Sequence, residues 1–457
     1  MALSLDTTLP AAVKFACKNG KPIEGGPFTG HGGGMAKSVK DEPVKRTVLS
    51  EKSQNRLIFL CWVVYTFSYL GRYSYSSNIT HVMNHFGVSH ADAGLVTTFF
   101  FFAYGAGQFI NGILCKKYNK QIVFPVVLTV ASLANVLVFS GVPFRFFKYI
   151  WLVNGLFQSV LWSSIVSILA DNLDERHLKK SLIVLGSTTA AGTFVTYFAS
   201  FIFSSLNFFK GVFLFAAVVM FSVGLIWTFT YTKTCGNIKT ALPDAVIKPE
   251  TANEPLSSQA KFTKTMLMTV AVFALFAVVC NFLKDGLQTW VTGMLKEIYD
   301  IGDSVSILIS LVLPLFSAAC GIFTVLANKL IKNITLLTAV FFTITLGLAA
   351  VLKFFIGFSF VTSAILLGLI AFMSHSINTC ITAILPLDFR GTGKAGLLSG
   401  ILNGCCYAGS TISSYGLGSA ADAFGWDSAF IIFIAVSGAA ALTGYLAYLI
   451  IAKAKRP

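Results

Sequence analysis

Charge is what this chain has least of. Only 12% of its 457 residues are Asp, Glu, Lys or Arg, against about a quarter in a soluble domain. With 55% hydrophobic residues and a mean hydropathy of +0.75, that scarcity excludes an ordinary soluble fold, because most side chains must face lipid or protein. Acidic residues are scarcer still, 19 against 34 basic ones. Enzyme signatures are missing too. There is no P-loop to drive ATP-powered transport, no nucleophile elbow, and no metal-ligand spacing among the six histidines and nine cysteines. No enzyme, metal or cofactor is therefore expected. The cysteines lie mostly inside apolar runs and read as small packing residues. The first 50 residues lack the roughly 7–15-residue apolar core of a secretory signal. They contain a glycine-rich, disorder-prone run at 28–35, and Met35 offers a second start site.

What the chain has instead is apolar length. A bilayer core about 30 Å thick needs roughly 20 apolar residues per helix. On that scale, spans fall at 57–82, 91–115, 121–142, 147–170, 181–206 and 209–232, then at 265–294, 304–328, 333–356, 358–386, 393–419 and 427–452. The expected fold is an all-α membrane protein of twelve transmembrane helices in two pseudo-symmetric six-helix bundles. Residues 1–54 read as a disordered amino-terminal segment, 55–232 as the first bundle, 233–264 as a linker with Pro243, Pro249 and Pro255, 265–452 as the second bundle and 453–457 as a tail.

The formal charge of +15 does not point to nucleic acid, since it lies in short loops where it sets topology. The amino-terminal segment, the tail and the loops after even-numbered spans hold 27 of the 34 Lys and Arg residues; the opposite side holds Arg145, Lys148, Lys210, Lys296 and Lys353. The positive-inside rule therefore places both termini in the cytoplasm. The halves also echo each other: Phe86, Val88 and His90 recur as Tyr299, Ile301 and Asp303, offset by 213 residues. That spacing supports parallel repeats related by an axis along the membrane normal.

Two cations lie deep within spans, Arg72 in the first and Lys284 in the seventh, 212 residues apart. A charge at the bilayer centre costs about 2.5–3.5 kcal/mol on insertion scales, so such residues normally face an aqueous cavity and act there. Two cations on one cavity would bind an anion, and a phosphate or carboxylate fits best. An internal ion pair or a snorkelling side chain is the alternative for Arg72. For Lys284 the alternative is neutralisation by Asp285, although consecutive helical residues diverge by about 100°, which makes an intimate pair awkward.

Helical spacing gives each cation polar company. Tyr65, Tyr69 and Arg72 share one stripe, and Asn281 and Gln288 flank Lys284. Tyr104, Gln108 and Asn111 line the second span, and Asn154, Gln158 and Trp162 the fourth. His375, Asn378 and Thr382 line the tenth, with Asn403 and Tyr407 in the eleventh. Any one stripe reads as an interhelical hydrogen-bond seam, with a substrate contact as the alternative; recurrence across six spans favours a shared central cavity. His375 reads as a packed neutral histidine, with a proton relay as the alternative. His81, His85 and His90 fall at the outer surface and read as solvated.

These residues carry a resemblance. Tyr65 and Tyr69-Leu-Gly-Arg72 match the tyrosines and arginine in the first helix of the organophosphate:phosphate antiporters, the glycerol-phosphate and hexose-phosphate carriers of the major facilitator superfamily. Tyr104-Gly-Ala-Gly-Gln108-Phe-Ile-Asn-Gly112 resembles their Tyr-Gly-x-x-Lys-Phe-Ile-x-Gly, and Lys284-Asp-Gly-Leu-Gln-Thr-Trp290 their Arg-x-Gly-x-x-x-Trp. Gly391-Thr392 and Phe424-Gly-Trp-Asp427 also fit, so the likeness runs over about residues 55 to 452. It implies that Arg72 and Lys284 form a phosphate-binding pair with Tyr65, Tyr69 and Tyr104 beside them. The departures are Lys284 for the second arginine, Gln108 for the lysine, Thr188 for a fifth-helix histidine, and no aspartate in Gly112-Ile-Leu-Cys-Lys-Lys-Tyr118.

The expected function is exchange of a phosphorylated sugar or related organic anion for inorganic phosphate by a monomer embedded in the bilayer. Two alternatives stay open. One is proton-coupled movement of another, carboxylated solute, with Asp285 and His375 as the candidate couplers. The other is a sugar-phosphate sensor that does not transport.

Overall fold

In lipid, every backbone N–H and C=O must be satisfied within the segment, which leaves the helix as the form for an isolated apolar run. A computed structural model describes residues 49–235, 264–389 and 395–454, and each predicted span falls on helix there. The first bundle comprises α1 (Glu51–Tyr73), α2 (Ile79–Phe86), α3 (His90–Leu114), α4 (Lys120–Phe139), α5 (Phe147–Asn172), α6 (Glu175–Gly186), α7 (Thr188–Ser205) and α8 (Gly211–Cys235). The second comprises α9 (Lys264–Tyr299), α10 (Asp303–Ser310), α11 (Val312–Ser317), α12 (Cys320–Leu330), α13 (Ile334–Phe355), α14 (Phe360–Thr379), α15 (Leu385–Asp388), α16 (Ala395–Phe424) and α17 (Asp427–Ala454).

Nine helical segments among the described residues are long and apolar enough to cross a membrane. A tenth passage is the pair Asp303–Ser317 and Cys320–Leu330, bent by 40°. Helices α1 and α16 are long enough but more polar, because they carry residues that face the interior. These helices are in keeping with the twelve passages expected. The bent passage contains Pro314, and a π-turn at Cys380–Ile384 breaks the tenth span just before Pro386. Proline supplies no N–H, so the helix around it must re-satisfy a carbonyl.

The linker and amino-terminal expectations fall largely outside the described residues, although α1 begins at Glu51, ahead of the expected boundary. Its second turn is anchored by Gln54, which exchanges hydrogen bonds with Asp174 at 3.0 and 3.1 Å. Asp174 caps α6. The His177 backbone amide and ring, together with Gln54, hold its carboxyl down at about 2.

Glycine permits the closest helix contacts. A Cβ on Gly155 of α5 would stand 2.4 Å from the Phe100 carbonyl oxygen of α3. A backbone oxygen cannot swing aside as a side chain can. Gly155→Ala should therefore cost about 1–3 kcal/mol. The check is the thermal unfolding midpoint in detergent, and an unchanged midpoint would refute this packing.

The two bundles meet chiefly where α3 packs along α16 and α7 against α10. The side on which the described chain begins and ends is the terminal face, and the other is the distal face. At the distal face a Cβ on Gly94 would lie 2.3 Å from the Ser414 carbonyl oxygen, and one on Gly418 would lie 2.6 Å from that of His90. Small residues let the backbones of the two bundles touch there.

Candidate functional site

Arg72 sits near the end of α1, 6% exposed. Its guanidinium lies 4.6 Å from the ring centre of Tyr69, 4.5 Å from that of Tyr104 and 5.7 Å from that of Phe100. Such stacking stabilises a cation without neutralising it. Its Nε and Nη2 are buried and have no hydrogen-bond partner among the described residues.

The aromatic ring around Arg72 crosses between bundles. Tyr104 of α3 packs on Tyr407 of α16 with centroids 4.7 Å apart. Tyr65 meets Tyr69 at 5.5 Å and Trp162 of α5 at 5.1 Å. Tyr69 Oη shares a 2.7 Å hydrogen bond with Thr189. Thr188, the residue expected at the place of the family's histidine, is instead fully buried and donates to the Leu185 carbonyl. Thr189 thus faces the site where the sequence pointed to its neighbour.

Lys284 faces this group from α9, and Tyr69 lies within electrostatic range of both cations. The pairing judged awkward from helical geometry does form: Lys284 Nζ stands 3.5 Å from Asp285 Oδ1. The lysine's flexible four-carbon stem reaches across the 100° that separates the two Cβ atoms. Asp285 is 4% exposed. Its Oδ2 accepts from Ser410 Oγ of α16 and from Asn281 Nδ2 at 3.3 Å.

The remaining residues singled out from sequence divide into two groups. His375 of α14 lies within electrostatic range of Lys284, and Asn378 Oδ1 takes a 3.8 Å contact from Cys406 Sγ on α16. Gln288 is buried with its Nε2 unpartnered, and its backbone carbonyl accepts from Tyr197 of the first bundle at 2.6 Å. Asn403 is half-buried one turn before Tyr407. Gln108 turns away to the Ser159 carbonyl of α5 at 3.3 Å. Gln158 is fully buried, donating to Asn154 at 2.9 Å and packed against Gly71.

The histidines expected at the outer surface are not simply solvated. His90, the first residue of α3, places Nδ1 2.6 Å from Asp422 and Nε2 2.8 Å from Glu297. Asp422 of α16 also accepts from the backbone amides of His90 at 3.0 Å and Ala91 at 2.7 Å. A carboxylate from the second bundle therefore caps a helix of the first, where free N–H groups and the helix dipole favour negative charge. Trp426 donates to Glu297 at 2.8 Å, and His90 packs against both Trp290 and Trp426, which also touch each other. His81 pairs with Ser204 at 2.7 Å, stacks on Phe209, and lies 3.7 Å from Asp303 of the second bundle. His85 packs on Phe86 and Phe209. The only sequence signal for this seal was the matched pair His90 and Asp303, which now prove to open α3 and α10.

The pattern described as Major Facilitator Superfamily matches residues 61–414. The chain belongs to that superfamily. Its members of this type are transporters rather than enzymes, and the chain is a multi-pass membrane protein with their fold. Among solved structures, a bacterial homologue of the human lysosomal transporter Spinster, inward-facing and unoccupied, covers 89% of this chain and 99% of its own, with a TM-score of 0.69 and 16% identity. That likeness shows the fold alone.

Curated relatives within the superfamily include the membrane sensor protein UhpC of Escherichia coli (strain K12), 25% identical over 24% of this chain and 25% of that protein. Sugar phosphate exchanger 3 of Xenopus laevis is 30% identical over 36% of this chain and 34% of that protein. The aligned parts thus span about a quarter to a third of these relatives.

Proposed function

We propose that this superfamily member exchanges a phosphorylated sugar or related organic anion for inorganic phosphate at a central site containing Arg72 and Lys284. One observation carries the reading: Arg72 is a buried, aromatic-stacked cation whose Nε and Nη2 donors have no partner among the described residues. A buried donor left unmade costs about 1–3 kcal/mol, more for a charged group, so the site is built to be completed by an acceptor. Guanidinium nitrogens form a fork that matches two oxygens of a phosphate. Tyr69, Tyr104 and Tyr407 would surround the bound group, and Lys284 would contribute from the second bundle. The relative named sugar phosphate exchanger 3 supports the phosphate-ester class.

Alternating access would follow from the two-bundle fold. The terminal face would be cytoplasmic by its charge, and the distal seal closed in this conformation. An anion drawing α1 and α9 together would stabilise an occluded state through its differential affinity for it.

The test is exchange in proteoliposomes loaded with phosphate and offered labelled hexose phosphate, glycerol phosphate or a carboxylate. Saturable uptake that requires internal phosphate is expected. Uptake driven by a pH gradient and indifferent to internal phosphate would instead favour the proton-coupled reading. Ligand binding without counterflow would favour a sensor, the role named for UhpC.

A further inference from the structure

We propose that Asp285 sets the charge of the solute this site accepts. It holds Lys284 in an internal ion pair and leaves Arg72 as the cation whose charge a ligand must balance. This rests on the reading of the central site as an anion site and deepens it: the preferred ligand is a singly charged oxyanion, such as a protonated phosphate monoester, over a doubly charged one.

The geometry is specific. Two donors, Ser410 from α16 and Asn281 from α9, grip one oxygen of Asp285, and Lys284 Nζ stands at the other. A carboxylate so held is fixed in place rather than free to swing away when ligand arrives. It is also tied to the anion site: Ser410, which holds it, lies one turn after Tyr407 on α16, and Tyr407 packs on the Tyr104 ring that stacks on Arg72. The other titratable groups facing the pair are Tyr69 of α1, Cys280 of α9, Cys320 of α12, Cys406 of α16 and His375 of α14.

With Arg72 and Lys284 positive and Asp285 negative, the site carries one net positive charge. A monoanion matches that charge, whereas a dianion leaves an excess negative charge near a buried carboxylate. In a medium of low effective dielectric, one such unit is worth at least about a tenfold preference. Lys284 can still donate hydrogen bonds to the ligand while its charge is balanced by Asp285.

Inorganic phosphate and sulfate separate charge from shape. They are tetrahedral ions of similar size, and in mildly acidic buffer phosphate is mostly singly charged while sulfate is doubly charged. Ligand-induced thermal stabilisation of the purified full chain should show phosphate binding at least about tenfold tighter than sulfate. In Asp285→Asn the freed Lys284 raises the site charge, and the preference should shrink to less than about threefold.

Wild-type protein that binds sulfate as tightly as phosphate would overturn the proposal. So would folded Asp285→Asn that keeps the tenfold preference. Should the unpaired lysine prevent folding, Lys284→Met/Asp285→Asn removes both charges and leaves none stranded. It should bind phosphate more weakly and keep the preference, and loss of that preference would also refute the charge argument. Arg72→Ala separates the two levels. If neither anion stabilises wild-type protein, the anion-site reading itself fails. If both do so through Arg72 without preference, only the role of Asp285 fails.

Discussion

Arg72→Ala is expected to abolish exchange while leaving the fold as stable as before or more so. Two charge-assisted hydrogen bonds to a phosphate contribute about 1.5–3 kcal/mol each, so losing both should weaken binding by roughly 10²- to 10⁴-fold. Most deep charges are removed at a cost in stability, because a counter-ion is left stranded. Arg72 differs, since its surroundings are Tyr69, Tyr104 and Phe100 and its buried donors have no partner. Removing it relieves a desolvated charge. The pairing of lost uptake with an unchanged or raised unfolding midpoint is therefore diagnostic of a binding role. Arg72→Lys keeps the charge but not the fork, and should lose about tenfold or more. Uptake at the wild-type rate in Arg72→Ala would remove this residue from the site.

Asp422→Ala should open the distal face. Asp422 accepts from two backbone amides at the start of α3 and from the His90 ring, all across the bundle interface. Alanine leaves those donors without their partner, and a loss of about 1–3 kcal/mol shifts the balance between closed and open seal by roughly 5- to 150-fold. Ser414 is a suitable reporter because it is fully buried and its carbonyl accepts from Trp290 at 2.9 Å. A membrane-impermeant maleimide added at the distal side should label Ser414→Cys at least about tenfold faster in the Asp422→Ala background. Equal labelling rates would mean that the seal is held elsewhere, with His81 and Asp303 the next cross-bundle pair to test.

The two cations were legible in the sequence for one physical reason: a charge inside an apolar run is costly enough to be conspicuous without any structure. The stripes beside them were legible in part. Tyr65, Tyr69 and Arg72 share a face because helical periodicity is local, and the structure assembles them. Gln108 and Gln158 satisfied the same periodicity yet bond inside the first bundle, to the Ser159 carbonyl and the Asn154 side chain. Periodicity selects a face of a helix; it does not say which neighbour covers that face.

The apolar runs, the 6 + 6 layout and the buried positions of Arg72 and Lys284 are decided by composition and order along the chain, because lipid admits few backbone forms and penalises each deep charge. Three features were decided only by the tertiary structure. The Lys284–Asp285 pair depends on how a long side chain bends and on Ser410, which is 125 residues away. The choice of Thr189 over Thr188 depends on the rotation of α7 against α1. The His90 seal joins partners 332 and 207 residues apart in sequence. Contacts at such separations are set by how the two bundles dock, and no pattern local to either stretch of sequence encodes that docking.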